Sequence, residues 1–455
     1  CACRIFYLKE MKVFVFAIIL ARCQALTATT TSSPRVVVTG VGVISSIGST
    51  KDEYWNSLLD GASGIGKIES IENIESFACQ IGAEVKNFDE KQWFSSPKSA
   101  KSNDRYTHFA MAAARLALED ATLNSYDSER SGCIIGTAFG GILTIEREIE
   151  RLQNRGPRKV SPFAIPSMLA NTASGVVGIE LDMRALNYGI VSACASGTHA
   201  IGEALASMRN GKADVILAGG AEAAITPLMY AGFGAMKAMN TACNDNPDEA
   251  SRPFDAKRSG FVMGEGAGVL VLETLEHAKK RGARIYAELS GYGATCDAHH
   301  ITTPEPTGRG LATCLELALE SAQLEPTDVA YVNAHGTSTP YNDKFETLAL
   351  KKVFKEHATS HQLKISSIKG ATGHTLGAAG GLEAVATVLA AYTGTLPPTI
   401  NLENPDDDCD LHYVPNKPIT ITLQRDAPSA FISESLGFGG HNAAILFKRF
   451  EEEET

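Results

Sequence analysis

Ile190-Val191-Ser192-Ala193-Cys194-Ala195-Ser196-Gly197 is the stretch from which the fold can be read. Its first four residues are apolar enough for a buried strand, and Cys194 to Gly197 break the run before a small-residue helix from about Thr198 to Arg209. A strand turning straight into a helix is the unit of α/β folds, and the same alternation continues on both sides. Strand candidates in a first series are Val36–Thr39, Cys133–Gly136, Ile190–Ala193, Val215–Ala218 and Val269–Leu272. A second series holds Ile285–Leu289, Val329–Asn333, Leu363–Ser367, Ala430–Ser433 and Ala443–Phe447. Two such series predict two similar α/β halves with sheets covered on both faces. The helix Asp104–Ala121 places Phe109, Ala112, Ala113, Leu116 and Ala117 on one stripe, as a covering helix does. The charged stretch Glu273–Arg284 reads as an exposed helix at the seam, which divides 34–284 from 285–450 and leaves residues 451–455 as an acidic tail.

Cys194 falls on the strand-to-helix corner. A thiol there faces unpaired backbone N–H groups and the positive end of a helix dipole, and both favour the nucleophilic thiolate. Backbone N–H groups at such a corner can also hold the oxyanion of an attacked thioester. The alternative is a small buried cysteine beside a tight turn.

Composition narrows the chemistry. The chain has 455 residues with 41 Lys and Arg against 52 Asp and Glu, a net charge of −11, which disfavours nucleic acid as partner. Its ten cysteines include no CxxC pair, so neither a disulfide framework nor a zinc ribbon is indicated. At this length each half can bury its own core.

Residues 1–33 differ in kind. Lys12 precedes the apolar run Val13 to Leu20, then Ala21-Arg22-Cys23-Gln24-Ala25, then a hydroxyl-rich stretch from Thr27 to Ser33. With no acidic residue between Met11, a natural initiator, and Ser33, this reads as a targeting leader with signal-peptide parts. The apolar run is too short to span a bilayer, and no membrane association is expected. A signal peptide joined to a Ser/Thr-rich, acid-free stretch resembles the two-part plastid leaders of algae with complex plastids; import into a mitochondrion is the alternative.

Two segments of the second half carry histidines beyond strand ends, where α/β sheets place ligands. Val332-Asn333-Ala334-His335-Gly336-Thr337-Ser338-Thr339-Pro340 is one; Ser367-Ile368-Lys369-Gly370-Ala371-Thr372-Gly373-His374-Thr375-Leu376-Gly377 is the other, leading into the helix Ala378–Ala391. A third loop, Ser435-Leu436-Gly437-Phe438-Gly439-Gly440-His441-Asn442, is glycine-rich enough to move, or to form a tight hairpin between two C-terminal strands.

Cys194 in its Ser-Ala-Cys-x-Ser-Gly setting, Asn333–Pro340, Lys369–Gly377 and Gly437–Asn442 together resemble the motifs of the β-ketoacyl-acyl carrier protein synthases. Arg252-Pro253-Phe254-Asp255 and Gly260–Gly268 agree. The resemblance covers nearly everything from Arg35 to Phe447, and the Cys-His-His set is similar to the elongating members. It implies a thiolase-like fold with a layered αβαβα arrangement and an acyltransferase without metal or other cofactor that elongates fatty acids by decarboxylative Claisen condensation. Acyl carrier protein would be the partner, and a homodimer the assembly. By resemblance Cys194 takes the acyl group, His335 and His374 polarise the malonyl thioester, and the N–H groups of Cys194 and Phe438 form the oxyanion hole. Lys369 would be the supporting lysine, Glu383 its ion-pair partner and Asp343 a structural acid. Thr337 and Thr339 would bind the phosphopantetheine arm, Phe438 and Gly439 would also bind substrate, and Phe438 would be a mobile gate beside the cysteine. A polyketide ketosynthase, or a catalytically silent chain-length-setting subunit, is the alternative; the presence of Cys194 argues against the silent role.

Three positions depart from the family's pattern: Ala195 replaces a common Ser, Glu434 a usual Asn, and His441 a usual Thr. Lys98, Lys101, Arg105 and Lys237 fall in regions that dock the acidic carrier protein in relatives, or are simply solvated charge. Cys296, Asp297, His299 and His300 lie in one short turn, and a metal there is disfavoured.

Overall fold

A computed structural model describes residues 33–422 and 429–451. The leader through residue 32 and the acidic tail past Glu451 lie outside the described residues.

The apolar runs form one ten-stranded sheet. Its strands are β1 (Val36–Ile44), β2 (Ser131–Gly136), β3 (Asn187–Ile190), β4 (Val215–Glu222), β5 (Gly266–Thr274), β6 (Ala287–Cys296), β7 (Val329–Asn333), β8 (Lys364–Ser366), β9 (Ala430–Gly437) and β10 (His441–Arg449). Across the sheet they run β8-β7-β9-β10-β6-β1-β5-β4-β2-β3. Within each half the order is the same: third, second, fourth, fifth, first. The pattern of pairing also repeats. In the first half β2 is parallel to β3 and β4, and β5 runs antiparallel to β4 and β1. In the second, β7 is parallel to β8 and β9, and β10 runs antiparallel to β9 and β6. The halves are therefore topological copies. They join where β1 meets β6 antiparallel, Val36 opposite Leu289 and Val38 opposite Ala287.

Such a sheet must cover two apolar faces. Helices α1 (Arg105–Asp120), α2 (Ser196–Arg209), α3 (Arg309–Ala322), α4 (Pro340–Thr359) and α5 (Ala379–Thr393) do so. Helices α2 and α5 pack against each other, and each touches strands of both halves, so the two half-sheets enclose them. Helix α1 covers the outside of the first half, and α3 with α4 the outside of the second. This is the expected αβαβα layering. Residues 379–391 of α5 are all buried; Leu382, Val385, Val388 and Leu389 each contribute roughly 1.5–3 kcal/mol of burial. The span Leu376–Thr393 is apolar and long enough to cross a membrane, yet it is this buried core helix.

Three sequence readings need correction. Strand β3 ends at Ile190, not Ala193, because the backbone turns sharply there and Ala193 takes a φ of 51°. The seam stretch is not simply exposed: Glu273 is fully buried, and its carboxylate accepts from Thr39, His277 and Arg281, anchoring the short helix Leu275–Lys280 to β1. Helix α1 buries Tyr106, Ala110, Met111 and Ala114 besides its predicted stripe, because the helix Thr172–Leu181 covers it from outside.

Candidate active site

Each chemically active side chain sits where a strand gives way to a loop or helix. Cys194 follows the positive-φ turn at Ala193, and the turn is tied by Ser196 Oγ, which donates to Ala193 O at 2.6 Å and accepts from Ser192 N at 2.8 Å. His335 follows β7, and His374 lies in the loop between the helical turn Lys369–Thr372 and α5. Phe438-Gly439-Gly440 is the connection between β9 and β10, with φ of 92° at Gly439 and 77° at Gly440. The hairpin alternative is therefore correct as geometry, and its aromatic ring still faces the site.

Cys194, His335, His374 and Phe438 line one cavity of about 370 Å³, together with Thr337, Thr339 and Lys237. The two imidazoles meet edge to face with centroids 5.3 Å apart, and Phe261 packs edge-on to His374 at 5.5 Å. Burial, and then the nearby Lys369 charge, hold both rings well below the usual histidine range, so both are neutral near pH 7. Their tautomers follow from their partners. Lys369 Nζ, an ammonium, faces His335 Nδ1 at 3.4 Å, and Leu376 N–H donates to His374 Nδ1 at 3.4 Å. Each ring then keeps its proton on Nε2, as a donor.

Lys369 and Glu383 form an ion pair in which both side chains are almost completely buried. Ser435 Oγ adds a hydrogen bond to Glu383 Oε2 at 3.4 Å. Asp343 is fully buried on α4 and accepts from Thr337 N at 3.0 Å and Phe254 N at 2.9 Å, with Arg258 3.6 Å away. Thr337 and Thr339 share a hydrogen bond of 2.9 Å at the cavity wall.

The thiol corrects an expectation. Burial pushes Cys194 up to about 12, outweighing the Lys369 charge and the Phe438 N–H that favour the thiolate. At rest Cys194 is a thiol despite its helix corner. Docking residues also divide. Lys237 reaches the cavity mouth, and Lys98 and Lys101 are exposed without lining it. Arg105 is engaged inside the fold instead, 2.7 Å from Glu265, donating to Val85 O and lying over the Phe109 ring. Its guanidinium is already held, so it is not a free docking cation. In the Cys296–His300 turn, Asp297 accepts from Asn442 Nδ2 and Glu305 N. Among the described residues no group of three or more His, Cys, Asp or Glu is placed to hold a metal.

Sequence reading missed Glu346. It is fully buried on α4, and its carboxylate accepts from the backbone N–H of His335 at 2.6 Å and of Gly336 at 2.8 Å. Its spacing of three from Asp343 on one helix face was the available signal. Glu434, the departure from Asn, lies buried against Glu346, and neither of its oxygens has a donor among the described residues. Burial, and then the Asp343 charge, raise Glu346 to about 7, while burial and then the Glu346 charge hold Glu434 well above the ordinary glutamate value. Protonation of the pair stabilises the fold fully below the ordinary glutamate value of 4.5, and the Glu346 share of that stability is lost as pH rises through about 7. Glu434→Asn is expected to flatten the fall in melting temperature between pH 6 and 8 and to raise the melting temperature at pH 8; an unchanged pH profile in calorimetry rules this out.

Residues 33–278 match the sequence profile of the Beta-ketoacyl synthase, N-terminal domain, and residues 286–403 that of the C-terminal domain. The chain belongs to the β-ketoacyl synthase family. Among its relatives, 3-oxoacyl-[acyl-carrier-protein] synthase 2 of Synechocystis is 48% identical over 92% of this chain and 98% of its own length. The enzyme of that name from Coxiella burnetii is 46% identical over 91% and 98%. Similar solved structures include a type II polyketide ketosynthase in complex with its acyl carrier protein, at a TM-score of 0.84 and 34% identity, covering 92% of this chain and all of that one. The ishigamide ketosynthase/chain length factor matches equally, at 0.84 and 35%, with the same coverage.

Proposed function

We propose that this β-ketoacyl synthase is an elongating 3-oxoacyl-acyl carrier protein synthase of type 2, acting in fatty-acid synthesis. The observation that carries the reading is the single cavity shared by Cys194 and two neutral, Nε2-protonated imidazoles. In a first step Cys194 Sγ attacks the acyl thioester on the carrier, the carrier's thiol leaves with the proton, and an acyl-Cys194 thioester remains. In the second, malonyl-carrier thioester occupies the cavity with its carbonyl toward His335 and His374. Two N–H donors aimed at that oxygen stabilise the enolate formed as carbon dioxide leaves. The enolate carbon attacks the acyl-Cys194 carbonyl, the C–S bond breaks, the 3-oxoacyl carrier is released, and the departing Cys194 thiolate takes a proton from water to return to the resting thiol. The backbone N–H groups of Cys194 and Phe438 would hold the oxyanion of each tetrahedral intermediate. Lys369 keeps a proton on its side of His335, so that Nε2 stays the donor.

Acyl carrier protein is the partner this chemistry requires, and Lys237 at the cavity mouth, with Lys98 and Lys101, supplies positive charge for it. The stronger likeness to fatty-acid synthases than to the polyketide enzymes favours the former substrate class. Mass spectrometry after incubation with acyl-loaded carrier protein tests the reading: an acyl adduct on Cys194 is expected, and an unmodified protein refutes it.

A homodimer is part of the same proposal. Among the described residues strand β3 is an open sheet edge, flanked by Val191 at 56% and Ile179 at 81% exposure. An apolar, unpaired edge is a template for a second copy. Light scattering is expected to give twice the chain mass, and Val191→Asp to give monomer. For the leader we propose plastid import, with the mitochondrion as the alternative; a fluorescent protein fused to residues 1–33 reports which.

A further inference from the structure

Glu222 closes β4 with its side chain fully buried, and the condensation chemistry does not use it. Its four hydrogen-bond donors are all neutral. Oε1 accepts from Thr137 Oγ1 at 3.0 Å and Phe139 N at 3.4 Å; Oε2 accepts from Ala138 N at 2.6 Å and Gly377 N at 3.1 Å. These donors belong to different halves of the chain. Residues 137–139 follow β2, and Gly377 follows His374 by three residues. The two segments touch so closely that a Cβ on Gly377 would stand 2.3 Å from Ala138 N and 2.6 Å from Glu222 Oε2.

Both segments end at the cavity. Ala138 and Phe139 line it, and the Phe139 ring meets Phe233 edge-on at 6.3 Å. On the other side Leu376, held at a φ of 51°, donates its N–H to His374 Nδ1. That bond is what leaves the His374 proton on Nε2, facing the substrate. One carboxylate thus ties a wall of the cavity to the turn that orients a proton donor.

We propose that Glu222 is a positioning residue for the condensation step: its carboxylate clamps the Phe139 segment to the turn that orients His374. The inference rests on the condensing reading above. A glutamine in this place offers one oxygen and one NH2, and whichever way the amide turns its NH2 meets a backbone N–H donor head-on, Phe139 on one side or Ala138 and Gly377 on the other, so the clamp opens on that side. Protonation of the carboxyl weakens it likewise. Burial raises Glu222 to about 7 against the pull of its four donors. The titratable group that faces it from α2's corner is the Cys194 thiol, whose ionisation the Glu222 charge opposes. The clamp therefore tightens as pH rises through about 7.

The test uses the full chain and separates the half-reactions: acylation of Cys194 by acyl-loaded carrier protein, and condensation with malonyl-loaded carrier protein, from about pH 6 to about pH 8.5. In Glu222→Gln, acylation is expected within about threefold of the unmodified chain and condensation kcat reduced about tenfold or more, with the inflection near neutrality gone from its pH profile. Thr137→Val removes one donor and leaves the backbone intact. It is expected to move that inflection to higher pH, because the ionised form loses a hydrogen bond. Equal losses in both half-reactions of Glu222→Gln, or an inflection that stays in place in Thr137→Val, overturn the proposal. Absence of acyl-Cys194 in the unmodified chain is a different outcome and removes the condensing reading itself.

Discussion

Cys194→Ala is expected to form no acyl adduct and to lose condensation by about 10⁴-fold or more, while His374→Ala still forms the adduct and loses condensation by about 10²–10³-fold. The split follows from where each group acts. The sulfur is the only atom in the cavity proposed to bond the acyl chain, so without it the first step has no acceptor. His374, neutral and with its Nδ1 occupied by Leu376 N–H, has one free proton to offer, on Nε2. That donor is needed only where negative charge grows on the malonyl carbonyl oxygen, in the second step. His335→Ala behaves alike, since its ring is held in the same tautomer from the Lys369 side. Rapid-quench measurement of adduct and product separates the steps. An adduct lost together with condensation in the histidine variants contradicts the division of labour.

The second large effect is on stability. Lys369 and Glu383 are paired where neither touches water, with side-chain exposures of 2% and 1%. Removing one partner strands the other as an uncompensated buried charge, which costs about 3–5 kcal/mol. Lys369→Met should lose that much in chemical denaturation and should also lose condensation, because His335 Nδ1 then faces no ammonium. The double variant Lys369→Met with Glu383→Leu has no stranded charge, so most of the stability returns and the activity does not. Full recovery of both would mean that the pair is a packing device alone. Screening does not blunt this expectation, since the pair lies far from the solvent that weakens surface ion pairs.

How much of this could be read in the chain depends on the range of the interaction. Cys194 at its corner, and His335 and His374 beyond strand ends, were visible because a strand, a break and a helix are local events written in consecutive residues. The departures at Glu434 and His441 were visible as letters, but their meaning was not. Glu434 matters because Glu346 of another element lies against it, and His441 because its ring comes within 6.4 Å of His199. Arg105 looked like a docking cation, and only the packed structure shows its charge spent on Glu265, 160 residues away in the chain.

Local patterning alone determined the alternation of strand and helix, the doubling of the series and the place of Cys194 on a strand-to-helix corner, since each is set by neighbours a few residues apart. The repeated strand order, the enclosure of α2 and α5 and the shared cavity were decided by tertiary structure. So were the state of each titratable group, from the protonated thiol to the carboxyl pair and the clamp at Glu222. A side chain's proton affinity depends on how much water it keeps and which charges face it, and both are fixed only when distant segments close over it.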